Sequence, residues 1–204
     1  MGLFQQLFAF GSAEDRQFRH AIYAITQLRP QNLALYQQAL QHSSVQAPLH
    51  SNERLEFLGD AVLSLIVGEY LFKKYPLQDE GFLTEIRARI ENRASLDTLA
   101  KKIGLDTLLS YDRRAMRKGT FKHIYGNALE ALIGAIYLDQ GYQRCGRFVT
   151  EHLLKIHIDL EALIQNDTNY KSKLVTWANK NQQQLLFEIV DEKRVSHYRE
   201  FTAH

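Results

Sequence analysis

The chain contains 204 residues, of which 45% are apolar and 24% are charged, and this composition excludes a wholly disordered chain. Its 25 Lys and Arg against 23 Asp and Glu leave a formal net charge of +2, so a nucleic-acid site must come from local clusters of basic residues. The single cysteine, Cys145, excludes an internal disulfide framework and a Cys-rich zinc site.

Residues 1–12 form an apolar N-terminal extension without the basic flank of a signal peptide. No run of about 20 consecutive apolar residues follows it, so no membrane span is predicted. We therefore expect a cytoplasmic protein that has no membrane partner.

Helical periodicity dominates the chain from residue 13 to residue 165. The helix that begins at Ser51 or Asn52 is apolar on nearly every side between residues 61 and 72, which is typical of a buried central helix. The predicted helices span residues 13–28, 32–42, 52–75, 80–103, 127–138 and 144–164. The sequence thus predicts an all-α domain over residues 13–165.

The character of the chain changes after residue 165, where the polar residues 166–169 are typical of a linker. A helix is predicted over 170–181, and strands are predicted over 185–190 and 195–201 with a turn between them. Trp177 is expected in the core of this small C-terminal unit. Residues 170–204 therefore begin an αββ unit.

Three acidic residues share one face at the start of the apolar helix. Glu53, Glu56 and Asp60 are spaced i, i+3 and i+7, which places them within about 60° of arc on a helix. Burial of an unpaired carboxylate costs several kcal/mol, so positive charge is expected beside them. The candidates are a divalent cation or an arginine network drawn from Arg54, Arg87, Arg89 and Arg93.

A second apolar helix begins with an amide and a carboxylate, Asn127 and Glu130, at i and i+3. Small residues allow this helix to approach the first one closely and bring both sets of oxygen atoms to one point. The small residues are Gly59 and Ala61 on the first helix and Ala128, Ala131, Gly134 and Ala135 on the second. Ligands that are all oxygen suit Mg²⁺ or Mn²⁺, and the spacing leaves both the metal site and the arginine network open.

The segment NERLEFLGD at residues 52–60 resembles the signature of the ribonuclease III family. Three further segments resemble the family's motifs in the same order: residues 39–43 before the signature, the acidic turn at 79–81, and the second active-site helix at 130–139. The resemblance covers about residues 15–165. Residues 171–174 with Trp177, and residues 197–201, resemble parts of a double-stranded-RNA-binding domain.

The resemblance implies an all-α ribonuclease III endonuclease domain followed by the start of a small α+β double-stranded-RNA-binding domain. The implied protein is a homodimer that binds double-stranded RNA and cuts it with Mg²⁺, or Mn²⁺ as a substitute. The cut leaves a 5′-phosphate and short 3′ overhangs, as in RNA processing, including that of ribosomal RNA.

The family's site residues carry over by position. Glu56, Asp60 and Glu130 match metal-binding acids, of which Asp60 and Glu130 are the expected catalytic residues. Glu53 and Glu80 match additional active-site acids, and Phe57 matches an aromatic that inserts into a pocket of the partner subunit. The expected RNA-binding residues are Arg113, Arg114, Arg117, Lys118, Lys122 and Lys171, and for the basic run at 113–122 a solvated loop is the alternative.

Two departures from the family's pattern leave an alternative open. Asn127 stands where the family has Asp, and it keeps an oxygen ligand but removes one negative charge, so metal affinity is expected to fall. The C-terminal unit also lacks the third strand and the basic second helix of an RNA-binding domain. The alternative is a catalytically impaired RNA-binding or scaffold protein. A di-iron protein is disfavoured because neither active-site helix carries a Glu-x-x-His pair.

Overall fold

The computed structural model describes residues 12–45, 48–112, 114, 123–165, 170–187, 189–195 and 198–203. The chain divides into two compact units, Met1–Leu163 and Ile164–His204. The predicted linker at 166–169 and residues 1–11 of the predicted extension lie outside the described residues. None of the described helices is both long enough and apolar enough to cross a membrane.

The first unit is mainly helical in its described part, as the sequence predicts, with one isolated β-bridge between Gln41 and Ser110. Its α-helices are α1 (Ala13–Thr26), α2 (Leu33–Ala39), α3 (Glu53–Lys74), α4 (Glu80–Glu91), α5 (Arg93–Lys102), α6 (Ile124–Arg147) and α7 (Lys155–His157), and the boundary between the units falls within α8 (Leu160–Gln165). Short 3₁₀ segments lie at Pro48–His50 and Leu105–Thr107, and Phe148–Leu154 forms a π-helical segment.

The core of this unit forms around α6 rather than around α3. Every residue from Ala131 to Ile136 is buried, and α6 packs against α3, α5 and α2. Helix α3 buries one side but leaves Leu65 59% exposed and Phe72 70% exposed, so the prediction of a buried central helix was wrong for that second face. A hydrophobic run indicates that a helix face is covered, but it does not say whether the same chain covers it.

The predicted single helix over residues 80–103 is two helices. Asn92 adopts an extended conformation (φ −65°, ψ 149°) between α4 and α5, and its side chain accepts a hydrogen bond of 2.9 Å from the backbone N–H of Ser95. The break is an N-cap, for which Asn is among the preferred residues, and this local bond prevails over the continuous apolar periodicity.

The predicted helices at 127–138 and 144–164 also differ from the structure. Helix α6 begins earlier, at Ile124, and continues to Arg147, although Gly141 interrupts it with φ 77° and ψ 175°. After it the chain forms the π-helical segment and the short helices α7 and α8 instead of one amphipathic helix. The positive φ at residue 141 falls on a glycine, which adopts it without steric cost.

The second unit contains helix α9 (Tyr170–Lys180) and two antiparallel strands, β1 (Ile189–Val195) and β2 (Tyr198–Ala203). The strands begin later than predicted, because the charged residues 191–194 lie in β1 instead of in a turn. Residues 191–195 lie opposite residues 198–202 in the antiparallel ladder, so pairing with a second strand extends β1 through the predicted turn. Trp177 is 56% exposed, so its predicted place in the core was wrong.

Candidate active site

Helices α3 and α6 cross at two glycines whose backbones are in contact. A Cβ atom added to Gly59 would lie 1.7 Å from the carbonyl oxygen of Glu130, and one added to Gly134 would lie 2.4 Å from that of Leu55. The predicted close approach of the two helices is therefore confirmed at these glycines. Ala61 is exposed and does not take part in the crossing.

The crossing brings together the acids of the two predicted motifs. Glu56 and Asp60 flank Gly59 along α3, and Glu130 lies opposite on α6. Glu56 and Glu130 are half-buried, whereas Asp60 is exposed. Asn127 lies one turn before Glu130 on α6, and its side chain acts on the pKa of the Glu56 carboxyl. Three carboxylates thus lie close enough at this crossing for their charges to act on one another, with the amide of Asn127 beside them.

These carboxylates perturb one another. Burial and then the negative charges of Asp60, Glu56 and Glu91 raise the pKa of Glu130 to about 7, against which Arg93 acts weakly. Burial also raises the pKa of Glu56, and the side chain of Asn127 opposes that shift. Strongly raised carboxyl pKa values that come from burial and like charges are typical of functional sites.

The predicted arginine network does not neutralise the cluster. The charge of Arg93 acts on both Glu56 and Glu130, but in the part of the chain that the structure describes no ion pair within 4.0 Å joins an arginine to them. Arg89 pairs with Glu85 on its own helix and donates to the carbonyl of Leu163 at 2.8 Å. The cluster therefore retains excess negative charge.

The donor atoms fit a hard divalent cation in their chemistry, since all of them are carboxylate or amide oxygens. Among the described residues, however, no group of three or more His, Cys, Asp or Glu side chains is arranged closely enough to hold a metal ion. An ion at this crossing would therefore need side chains to turn towards it. The excess charge around Glu130 favours that change.

The start of α6 is held in place by Asp97 of α5. Its Oδ1 accepts a hydrogen bond of 2.7 Å from the backbone N–H of Gly126, and its Oδ2 lies 2.9 Å from Nδ1 of His123. His123 itself has a left-handed backbone conformation, with φ 74°. Asp97 thus fixes the residue directly before Asn127, and through it the direction of the first turn of α6.

The remaining predicted acids, Glu53 and Glu80, are both exposed. Glu53 is exposed and lines a groove beside Phe57. Glu80 is exposed at the start of α4, where its carboxylate accepts a hydrogen bond of 2.8 Å from the hydroxyl of Thr84. The charge of Glu53 contributes to the raised pKa of Glu56, whereas Glu80 is not among the groups that shift the pKa of Glu56 or Glu130.

The predicted RNA-binding residues fall mostly outside the described part of the chain. Arg114 is exposed, and its backbone N–H donates to Asp112 at 2.7 Å. Lys171 lies in the first turn of α9, but its side chain is not described. The other four lie outside the described residues: Arg113, Arg117, Lys118 and Lys122.

Phe57 stands free on the surface, with 81% of its area exposed. It borders a groove of about 660 Å³ whose lining includes Leu35, Leu58 and Leu138. Along α3, Leu65 and Phe72 are exposed as well. The spacing of 57, 65 and 72 places these side chains on one side of the helix, so the first unit presents an apolar stripe to its surroundings.

Sequence reasoning missed one acid beside the site, Glu91. The hydroxyl of Ser64 donates to its Oε2 at 2.9 Å, and its charge contributes to the raised pKa of Glu130. The sequence signal that could have identified Glu91 is Asn92, the N-cap residue that directly follows it. Recognising the helix break at Asn92 would have placed Glu91 at a helix end, against the neighbouring helix.

A family model described as Ribonuclease-III-like matches residues 32–157. Proteins named Ribonuclease 3 are 43% identical over 185 residues in Bacteroides thetaiotaomicron and 38% identical over 190 residues in Phocaeicola vulgatus. These alignments cover 88% and 91% of this chain, but 58% and 61% of the relatives. The chain thus spans about three fifths of the length of these curated relatives.

A solved nuclease domain of ribonuclease III is also similar to this chain in sequence and in fold. The nuclease domain of ribonuclease III from Campylobacter jejuni is 34% identical to this chain with a TM-score of 0.62. The match covers 69% of this chain and 97% of that one. The shared part is therefore nearly the whole of that solved domain.

Proposed function

The chain belongs to the ribonuclease III family, and from this premise we propose that it is an endonuclease that hydrolyses phosphodiester bonds of double-stranded RNA with Mg²⁺. We expect products with a 5′-phosphate and short 3′ overhangs, and a role in RNA processing, including that of ribosomal RNA. The observation that carries this proposal is the cluster of Glu56, Asp60 and Glu130 at the glycine crossing, where the pKa of Glu130 is raised to about 7.

In this proposal the three carboxylates bind a divalent cation, with the amide oxygen of Asn127 as a fourth donor. A bound Mg²⁺, or Mn²⁺ in its place, supplies Lewis acidity to the phosphate and lowers the pKa of a bound water. The protein's own contribution is to fix the donors: the glycine contact sets the distance between the helices, and Asp97 holds the start of α6. Asp60 and Glu130 are the proposed catalytic residues.

We propose that the protein acts as a homodimer through the apolar stripe of α3. Phe57 is largely exposed beside a groove of about 660 Å³, which suits an aromatic side chain from a second copy. The ribonuclease III nuclease domain from Campylobacter jejuni is described as having a region involved in dimer formation. A two-fold dimer presents two acid clusters to the two strands of one duplex.

RNA contact is proposed for the basic residues at 113–122 and for Lys171 in the C-terminal unit. Duplex RNA is recognised mainly through its shape, its phosphates and its 2′-hydroxyls, and such recognition needs basic side chains but no base-reading code. We also propose that the C-terminal unit is part of a double-stranded-RNA-binding domain. Its described helix–strand–strand order is compatible with that assignment.

The alternative function is that of a catalytically impaired RNA-binding or scaffold protein. Asn127 favours it, because an amide at this position of α6 supplies no negative charge to a cation. Against it stand the carboxylates of Glu56, Asp60 and Glu130, which are the donor type that a hard divalent cation prefers.

Cleavage and binding assays separate the two functions. We expect wild-type protein to cut a fluorescent RNA duplex in Mg²⁺ and not in EDTA, and Glu130→Gln to lose at least about 100-fold in rate. Binding of the duplex in Ca²⁺ should be nearly unchanged in the variant. Glu151→Gln is a matched control, since Glu151 pairs with Lys155 on the surface away from the crossing. Binding without cleavage at any Mg²⁺ or Mn²⁺ concentration would favour the scaffold.

A further inference from the structure

The junction between α4 and α5 directs two charged residues towards the crossing of α3 and α6. Glu91 is the last residue of α4 and Arg93 is the first of α5, with the N-cap Asn92 between them. The charges of both residues act on Glu130, with opposite signs. The helix break thus adds a third element to a site formed by two helices.

Glu91 is fixed at this position through only one of its two carboxylate oxygens. Its Oε2 accepts the hydrogen bond of 2.9 Å from Ser64 on α3. Its Oε1 is shielded from solvent and has no hydrogen-bond partner among the residues that the structure describes. A shielded carboxylate oxygen without a partner is costly, so it is a candidate position for a water molecule or a cation.

The bond to Ser64 also sets the distance of Glu91 from the acid cluster. Ser64 follows Asp60 by four residues on α3, and side chains with that spacing are neighbours on one helix face. Glu91 therefore lies about one helical turn from Asp60, and their charges interact. Burial and the charge of Asp60 raise the pKa of Glu91, whereas Ser64 and Arg87 lower it.

We propose that Glu91 is an outer carboxylate of the cation site and that it supplies, from α4, the negative charge that Asn127 does not supply from α6. This inference rests on the proposed function, because it assigns Glu91 a role towards the cation held by Glu56, Asp60 and Glu130. Glu91 is a positioning residue in this scheme: it acts on the cation through its charge and through water, and the three acids provide the direct ligands.

Glu91 is assigned to the cation site because of its negative charge. At an oxygen-ligand site for a hard cation, the number of negative charges is a main determinant of affinity. With Asn at position 127, the crossing holds three carboxylates including Glu130, and Glu91 is a fourth whose charge acts on Glu130. Residues beyond the direct ligands typically change metal affinity by about 10- to 100-fold when they are replaced.

The test is a direct titration with Mn²⁺, followed by the electron paramagnetic resonance signal of the free ion, with no RNA present. We expect Glu91→Gln, which keeps the bond to Ser64 but not the charge, to weaken Mn²⁺ binding about tenfold. Glu85→Gln is the matched control, because Glu85 lies on the same helix but pairs with Arg89, and we expect unchanged affinity. Adding Asn127→Asp to Glu91→Gln should restore the wild-type affinity, because the two substitutions together leave the negative charge of the site unchanged.

Three results would overturn the inference. Unchanged Mn²⁺ affinity in Glu91→Gln, with wild type binding normally, rejects the role of Glu91 and leaves the proposed function standing. Absence of Mn²⁺ binding by wild type rejects the proposed function as well. If Glu91→Gln does not fold, Ser64→Ala, which keeps the charge but removes the bond that positions it, should still weaken binding. An unchanged affinity there contradicts the inference too.

Discussion

Glu130→Gln is expected to stabilise the metal-free protein at alkaline pH, although it removes a proposed catalytic group. The pKa of this carboxyl is about 7 in the folded chain against an ordinary 4.5. The folded state therefore binds the proton more tightly than the unfolded state, so the free energy of unfolding falls as pH rises from about 4.5 to about 7. Above that window the ionised group destabilises the fold by its full amount, and Gln, which carries no charge, avoids this cost.

The magnitude follows from the same pKa values. A difference from 4.5 to about 7 corresponds to roughly 3 kcal/mol. Solvent screening at this half-buried carboxyl reduces the cost to about 1–2 kcal/mol. For a unit of this size, the melting temperature of the variant should exceed that of wild type by about 3–6 °C at pH 8.

Differential scanning calorimetry in EDTA at pH 8, 6.5 and 5 measures this effect. The difference in melting temperature between Glu130→Gln and wild type should shrink as pH falls. At pH 5 it should be about a quarter of its value at pH 8. Mg²⁺ should raise the melting temperature of wild type at pH 8 but have little effect on the variant. Glu151→Gln serves as the control, and its melting temperature should not exceed that of wild type at any of these pH values. A variant that melts below wild type at pH 8, or a difference independent of pH, would refute the reasoning.

Three other substitutions test the rest of the site. Gly59→Ala should destabilise the fold by about 3 kcal/mol or more in urea denaturation, because its Cβ would lie 1.7 Å from a backbone oxygen. Gly68→Ala in the same helix is the control: its Cβ would have no neighbour nearer than 3.9 Å, so this substitution should stabilise the fold by about 0.5–1 kcal/mol. Equal changes in the free energy of unfolding for the two variants would contradict the close crossing of α3 and α6. Phe57→Ala should weaken the proposed dimer by about 2 kcal/mol in analytical ultracentrifugation, whereas a wild type that is monomeric at micromolar concentration would reject the dimer. Asn127→Asp should lower the Mg²⁺ concentration for half-maximal cleavage, and an unchanged Mg²⁺ dependence would place this side chain away from the ion.

The sequence predicted the central features of the site because they depend on local spacing. The acids of α3 follow from helical periodicity, and the contact of Gly59 with the backbone of Glu130 follows from the small residues on the two helices. The observed bounds of α3, Glu53–Lys74, agree with the predicted helix at 52–75.

The features that the sequence did not predict depend on competition between local and tertiary effects. At Asn92 a side-chain cap prevails over continuous periodicity, and that break places Glu91 beside Ser64, 27 residues away in the sequence. The exposure of Leu65 and Phe72 was missed because the apolar residues of an exposed helix face resemble, in sequence, those of a core. The charged strand β1 forms through its pairing with β2, which a local turn signal does not contain.

The most direct test of the central claim is the chemistry of the products from a long perfect RNA duplex. In Mg²⁺ we predict fragments that a ligase specific for 5′-monophosphates accepts, with short 3′ overhangs on both strands, and none in EDTA. In the same assay Glu130→Gln should bind the duplex without forming fragments. Fragments that carry 5′-hydroxyl ends, or equal cleavage in EDTA, would contradict hydrolysis by a cation at the crossing of α3 and α6.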